Sequence, residues 1–347
     1  MSQWRTTVPA PSVRSRKAAQ VHQQRLTKPP GSLGRLEQIA VDFAGWQDRV
    51  MPRVEKVSVC VFAGDHGVVE EAVSAFPQTV TGQMILNFAA GGAAIAVLAR
   101  LADADFSVVN LGTATPVPET RGVINAQLAP GSANFCKRAA MSPALMNRAL
   151  QCGADAAPTA ADIFIGGEMG IGNSTAAAAL VSALLDLPPE ATVGRGTGID
   201  DAALAVKRAV VQRGLDLHQG AASDALDMLR RLGGLEIAAL TGAYIACAQR
   251  RIPSLVDGYI CSAAALVACR VNPGVRDWLL FAHRSEEPGH RHLLKALSAD
   301  PLLDLGMRLG EGSGAATALP LLRSACALHA EMATFAEAGV ADREAPT

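Results

Sequence analysis

The sequence predicts an α/β protein built on a doubly wound parallel sheet of about six strands. Three observations carry this. A short β-branched run, then a polar or glycine-rich loop, then a helical segment recurs at least five times along the chain. Half of the 347 residues are apolar, many of them alanine, with only two tyrosines and three tryptophans, which suits small-residue helices packing closely on a sheet. Neither end of the chain carries a strand signal, so the terminal segments are expected to pack together as a small helical domain. Residues 1–50 and 301–347 would form that domain, and residues 51–300 the large α/β domain.

The elements follow in order. Residues 1–22 are polar and read as a helix or an arm. Lys28-Pro29-Pro30-Gly31-Ser32-Leu33-Gly34 is a shaped loop, either a surface connection or one that reaches an active site, its own or a partner subunit's. Leu33, Leu36 and Ile39 start a helix. Lys56 to Ala63 is a buried strand ending in Gly64-Asp65-His66-Gly67. His66 is a candidate base or a loop scaffold bonded to Asp65 or to backbone. Thr79 or Thr81 is expected to cap a helix through Phe88, and a second helix runs from Ala93 to Leu101. Strands follow at Phe106–Leu111 and, at an edge, Val123–Ile124, then a helix over 142–155. Further strands are expected at Ile163–Ile165, Ile252–Val256 and Trp278–Ala282, and further helices from Asp200, Gly234, Ser262 and Gly314. Right-handed crossovers gather the loops after parallel strands on one edge, so Asp65, Gly112, Glu168, Asp257 and Ser285 should converge.

The most informative stretch is 162–185. A short strand runs into Gly166, Gly167, Gly170 and Gly172, then Asn173-Ser174-Thr175, cap-type residues, then an alanine-rich helix. Free amides and the positive end of a helix dipole make such a turn an anion cradle. Glu168 sits inside that loop and, beside an anion site, calls for a cationic partner or a function. Gly194-Arg195-Gly196-Thr197-Gly198 is a second glycine-rich loop, followed by Asp200-Asp201 at a helix start and by Lys207 on that helix. The third glycine of a dinucleotide fingerprint is absent, as is the lysine of a Walker loop. No Asp-Asp pair follows a strand as a magnesium–diphosphate site would need. A monophosphate, held by amides and a lysine, is the expected ligand. Leu309-Gly310-Glu311-Gly312-Ser313-Gly314 places a carboxylate between glycines ahead of a helix, either a helix-start acid or a catalytic carboxylate approached closely on both sides.

Exclusions are equally physical. The formal net charge is −1, so nothing favours a nucleic-acid or membrane-surface partner. The longest apolar run, Phe76 to Ala99, is interrupted by polar residues and a Gly91-Gly92 pair, and the basic N-terminus has no apolar core behind it. The seven cysteines form no C-x-x-C pair and read as reduced thiols in a cytoplasmic protein, with no metal site.

Six stretches then carry a resemblance: Lys28 to Gly34, Ala63-Gly64-Asp65-His66-Gly67-Val68, Gly167-Glu168-Met169-Gly170-Ile171-Gly172-Asn173, Gly194 to Gly198, Asp257-Gly258 and Leu309 to Gly314. Over about nine-tenths of its length the chain resembles the nicotinate-nucleotide–dimethylbenzimidazole phosphoribosyltransferase family. The resemblance implies a homodimer with a large Rossmann-like domain and a small helical domain from both chain ends. It implies transfer of phosphoribose from nicotinate mononucleotide to 5,6-dimethylbenzimidazole with inversion at the anomeric carbon, and no cofactor. It makes Glu311 the base that deprotonates the acceptor. Glu168, Gly170, Gly172, Asn173, Gly194, Gly196, Lys207, Asp257 and Ser285 are expected around phosphoribose and nicotinate, with Glu168 paired to Lys207. Ser74, Gln83, Met307 and Leu309 are expected to line the benzimidazole slot. Phe76, beside Ser74, either stacks on the ring or belongs to the core.

Overall fold

The computed structural model describes residues 2–196 and 198–341. Thr197 of the second glycine-rich loop and residues 342–347 of the C-terminal segment lie outside the described residues. Six parallel strands, β1 (Val57–Gly64), β2 (Asp105–Gly112), β3 (Val123–Asn125), β4 (Ile163–Met169), β5 (Ser254–Val256) and β6 (Leu279–Phe281), lie in the order β3-β2-β1-β4-β5-β6. The strand order reverses at β1 and β4, the crevice where open α/β sheets hold ligands. Both of these strands are almost wholly buried, which is why they read as continuous apolar runs.

The small side chains do what the composition suggests. Helix Leu235–Gln249 is buried along nearly its whole length, between the sheet and helix Pro143–Ala156. A Cβ on Gly153 would run into the Ala239 backbone, so the two helices meet there with no side chain between them. The chain ends meet as well. Helix Arg35–Trp46 packs on both Val13–Arg25 and Ser313–Glu331, and Leu26 forms an antiparallel bridge with Thr334. The His329 carbonyl oxygen is bonded by His22 Nε2 at 2.8 Å, and His329 Nε2 bonds the Val50 carbonyl at 2.9 Å.

Several boundaries differ from expectation. β4 continues through Gly166, Gly167 and Glu168, because its partner β1 extends to Gly64 and keeps the ladder paired, so Glu168 stands on a strand and not in a loop. The following helix, Asn173–Leu185, has Gly172 (φ 98°) as its N-cap and no capping side chain. Thr79 and Thr81 cap nothing. Gln78 precedes helix Thr79–Ala89, and the buried Thr81 hydroxyl accepts the Ile171 N–H at 3.1 Å. β5 and β6 are shorter than expected: Pro253 lacks an N–H, and Trp278 closes a 3-10 turn with its indole N–H donating to the Pro9 carbonyl. The apolar stretch over 79–101 is long enough to span a bilayer by composition, but it folds as two helices, Thr79–Ala89 and Ala94–Leu101.

Candidate active site

A cavity of about 660 Å³ opens at the C-terminal edge of the sheet. Glu168, Met169 and Gly170 from the end of β4 line it, with Gly258 and Tyr259 after β5 and His283, Ser285 and Glu287 after β6. Phe76, Val80 and Met84 form an apolar wall, and Arg308, Leu309, Gly310 and Glu311 close the other side. A second recess of about 30 Å³ shares Gly170, Ile171, Asn173 and Ser174 with it and adds Ser74, Gly172, Arg195 and Lys207. It lies at the uncapped N-terminus of helix Asn173–Leu185, where the amides and helix dipole suit an anion.

Glu311 is held in an unusual backbone. Gly310, Glu311 and Gly312 all have positive φ, at 85°, 65° and 91°. A left-handed glutamate costs on the order of 1–3 kcal/mol and persists only where its surroundings impose it. The packing that imposes it includes Gly167 of β4, where a Cβ would collide with the Glu311 carbonyl. The Glu311 carboxylate takes the Ile95 N–H at the start of helix Ala94–Leu101, while its Oε2 is buried with no hydrogen-bond partner. Burial first, then the nearby Asp257 charge, raise its pKa above the ordinary carboxylate value.

Glu168 and Lys207 do not pair. Glu168 is bonded by the Asn173 side-chain amide and by the Glu311 N–H. Burial, followed by Asp257 and Glu236, raises its pKa well above the usual range. The Lys207 ammonium instead donates to Ser174 Oγ at 3.0 Å and to the Gly194 carbonyl at 3.1 Å. Burial lowers its pKa to about 8, against a weaker opposing pull from Glu287.

The other expected residues divide. Gly196 lines the cavity, and its carbonyl accepts from Arg308 at 2.9 Å, tying the second glycine-rich loop to the C-terminal segment. Ser285 lines it too, its N–H donated to Nδ1 of His290, a histidine that burial keeps neutral with a pKa pushed down to about 3. Phe76 and Leu309 are in the wall and about half exposed. Ser74, Gly172 and Lys207 face the small recess, and Gly194 reaches it through Lys207. Gln83 is exposed on its helix, and Met307 contributes a carbonyl to the Glu286 N–H; neither lines the cavity. Asp257 does not line it either, because both its oxygens are taken by backbone amides near Glu311. His66 is a scaffold: its ring bonds Glu236 at 2.8 Å, and both side chains are buried behind the site. The Lys28 to Gly34 loop lies outside the cavity wall, with Lys28 paired to Glu37 at 2.8 Å.

Sequence reasoning missed Val80, Met84, Ser174, His283, Glu287 and Arg308. Val80 and Met84 are four apart on one helix, a face that the spacing reveals once the helix is known to border a site. Ser174 has the residue type of a cap but serves Lys207 instead.

A phosphoribosyltransferase family model matches residues 8–340. The chain is 59% identical over 346 residues to the nicotinate-nucleotide–dimethylbenzimidazole phosphoribosyltransferase of Pseudomonas aeruginosa strain UCBPP-PA14, covering 99% of each. It is 60% identical over 325 residues to the enzyme of the same name from Azotobacter vinelandii, covering 92% of each. The crystal structure of the Thermus thermophilus enzyme superposes with a TM-score of 0.90 at 44% identity, covering 96% of this chain and all of that one. The recess at the helix N-terminus, the apolar wall and the glycine-flanked carboxylate agree with these matches, and the chain belongs to the nicotinate-nucleotide–dimethylbenzimidazole phosphoribosyltransferase family.

Proposed function

We propose that Glu311 is the base in a transfer of phosphoribose to dimethylbenzimidazole, and that the small recess holds the 5-phosphate. The enzyme takes nicotinate mononucleotide and 5,6-dimethylbenzimidazole and gives α-ribazole 5′-phosphate and nicotinate, a step in cobalamin biosynthesis. The single observation carrying the residue-level reading is the buried Oε2 of Glu311, unpartnered on a carboxylate that is fixed against the cavity.

The chemistry follows from charge. The nicotinate ring is a cationic pyridinium in the nucleotide and departs neutral, while the sugar carbon gains oxocarbenium character. One benzimidazole nitrogen attacks the opposite face, and the other must lose its proton as positive charge builds. A positioned carboxylate takes that proton, a contribution typically of about 10²–10⁴-fold. A raised pKa brings the base nearer the proton's own affinity. Phosphate sits with Gly170, Gly172, Asn173, Gly194, Gly196 and Lys207, and Ser285 lies at the ribose and nicotinate end. Phe76, Val80, Met84 and Leu309 supply the flat apolar slot that a heteroaromatic base fills, while Ser74 faces the phosphate recess instead. Holding both rings across one ribose removes much of the entropic cost of meeting.

We also read the chain as a cytoplasmic homodimer with its small helical domain formed by residues 1–50 and 301–347. The packing of helix Arg35–Trp46 on both terminal helices supports the small domain and the seven free cysteines the cytoplasmic reading, while the homodimer rests on the family resemblance. Light scattering at micromolar protein tests the dimer, and a monomeric mass rejects it. For the activity, nicotinate release is measured with and without dimethylbenzimidazole and the product's anomeric configuration is determined. Acceptor-dependent release with an α product is expected. Nucleotide binding without turnover would instead fit a nucleotide-monophosphate sensor, a reading the family relationship does not favour.

A further inference from the structure

Asp257 follows β5 and is almost completely buried, at 1% exposure. Its carboxylate reaches away from the cavity wall into the turn that carries Glu311. Oδ2 accepts the Gly312 N–H at 3.1 Å, and Oδ1 accepts the Ala315 N–H at 2.8 Å. His283 Nε2 stands 3.5 Å from Oδ1. Both amides follow the catalytic candidate: one belongs to the next residue, the other to the first turn of helix Ser313–Glu331. That helix has Gly312 as N-cap and no capping side chain of its own. Asp257 therefore supplies from another strand what a local Ser or Asp ordinarily supplies, an acceptor for first-turn amides and a negative charge at the positive end of the dipole.

We infer that Asp257 is a positioning residue for Glu311, capping helix Ser313–Glu331 from across the sheet edge and thereby holding Glu311 left-handed against the cavity. This rests on the reading of Glu311 as the base. A left-handed non-glycine residue relaxes unless several contacts oppose it. Asp257 fixes the turn on its C-terminal side, and Glu168 fixes it by accepting the Glu311 N–H. Two buried acids on adjacent strands thus grip consecutive amides, and neither needs to touch substrate to matter for the rate.

Asp257 also acts through its charge. The titratable groups around Glu311 are Asp257 after β5, Glu168 at the end of β4 and His283 after β6, with Arg308 on its own segment and Glu236 behind Glu168. A neighbouring negative charge disfavours a second one, so Asp257 raises the Glu311 pKa as burial does. Neutralising Asp257 must move the acidic limb of the rate profile to lower pH, because the base then stays ionised further into acid. A role confined to holding the fold together would leave that limb where it was.

The test compares Asp257→Asn and Asp257→Ser with wild type and with Glu311→Gln, all as full-length protein. Asn keeps the shape and one acceptor, Ser is a smaller cap, and thermal melts with calorimetry of nicotinate mononucleotide establish which variants fold and bind. The expected result is a kcat lowered about 10- to 100-fold in both variants, with nicotinate mononucleotide affinity within about threefold of wild type. The acidic limb of kcat/KM should also lie at lower pH in Asp257→Asn. Wild-type kcat with an unmoved limb overturns the positioning role. A raised KM at unchanged kcat overturns it differently, by making Asp257 a substrate contact. If Glu311→Gln turns over like wild type, it is the base assignment that fails, whatever the Asp257 variants do.

Discussion

Lys207 and Glu311 show opposite uses of burial. Burial disfavours the charged form of each, lowering the lysine to about pKa 8 and raising the carboxylate. For the lysine this leaves a cation through neutral pH that fades above it. Nicotinate mononucleotide affinity, measured by calorimetry, should therefore hold through neutrality and weaken as pH rises past about 8. Lys207→Met should cost about 10- to 100-fold in that affinity at pH 7, in line with a charge-assisted hydrogen bond to phosphate. An unchanged affinity removes Lys207 from the phosphate site. Glu168 follows Glu311, with two acidic neighbours, Asp257 and Glu236, pushing it the same way as burial does. The sequence suggests a pair with Lys207 because it shows two opposite charges near one anion site. Only the geometry shows that Lys207 is spent on Ser174 and Gly194.

Strand β4 and the 310–312 turn are one functional element built from two distant pieces of chain. The turn can approach because Gly167 has no side chain. Gly167→Ala should push the turn outward and lower kcat at least about tenfold while leaving the recess at Lys207 intact, since the base would be misplaced rather than removed. Steady-state rates with calorimetry separate the two effects, and an unchanged kcat shows that the close approach is not required. Apart from the largely exposed edge strand β3, the strands and most helices were legible in the sequence because each is either a largely buried run or an apolar face at helical spacing. Where β4 ends was not legible: Gly166 and Gly167 look like loop residues, and only their pairing with Cys60 and Val61 on β1 makes them strand. The Glu311 turn was half legible, its glycines visible but its tether to Asp257 set by tertiary contact. Val80 and Met84 were hidden because nothing local says which face of their helix meets a ligand.

Across the whole molecule, the sheet edge that forms the site rests on a buried polar layer. His66 and Glu236 join the end of β1 to helix Leu235–Gln249 behind the cavity. Glu236→Ala leaves the buried His66 ring without that partner and should reduce unfolding free energy by about 1.5–3 kcal/mol. Denaturant unfolding measures this, and a change within error assigns the pair no structural weight. The small helical domain proposed from the two chain ends brings Glu311 to the sheet, since helix Ser313–Glu331 begins at the turn and continues onto helix Arg35–Trp46. The proposed phosphate recess and the proposed base are thus brought by separate parts of the chain. The most direct test of this arrangement is the turnover number of Glu311→Gln, read as nicotinate released in the presence of saturating dimethylbenzimidazole and nicotinate mononucleotide. The expected result is a loss of about 10²–10⁴-fold in kcat with nucleotide affinity retained. Turnover at the wild-type rate would contradict the assignment of Glu311 as the base.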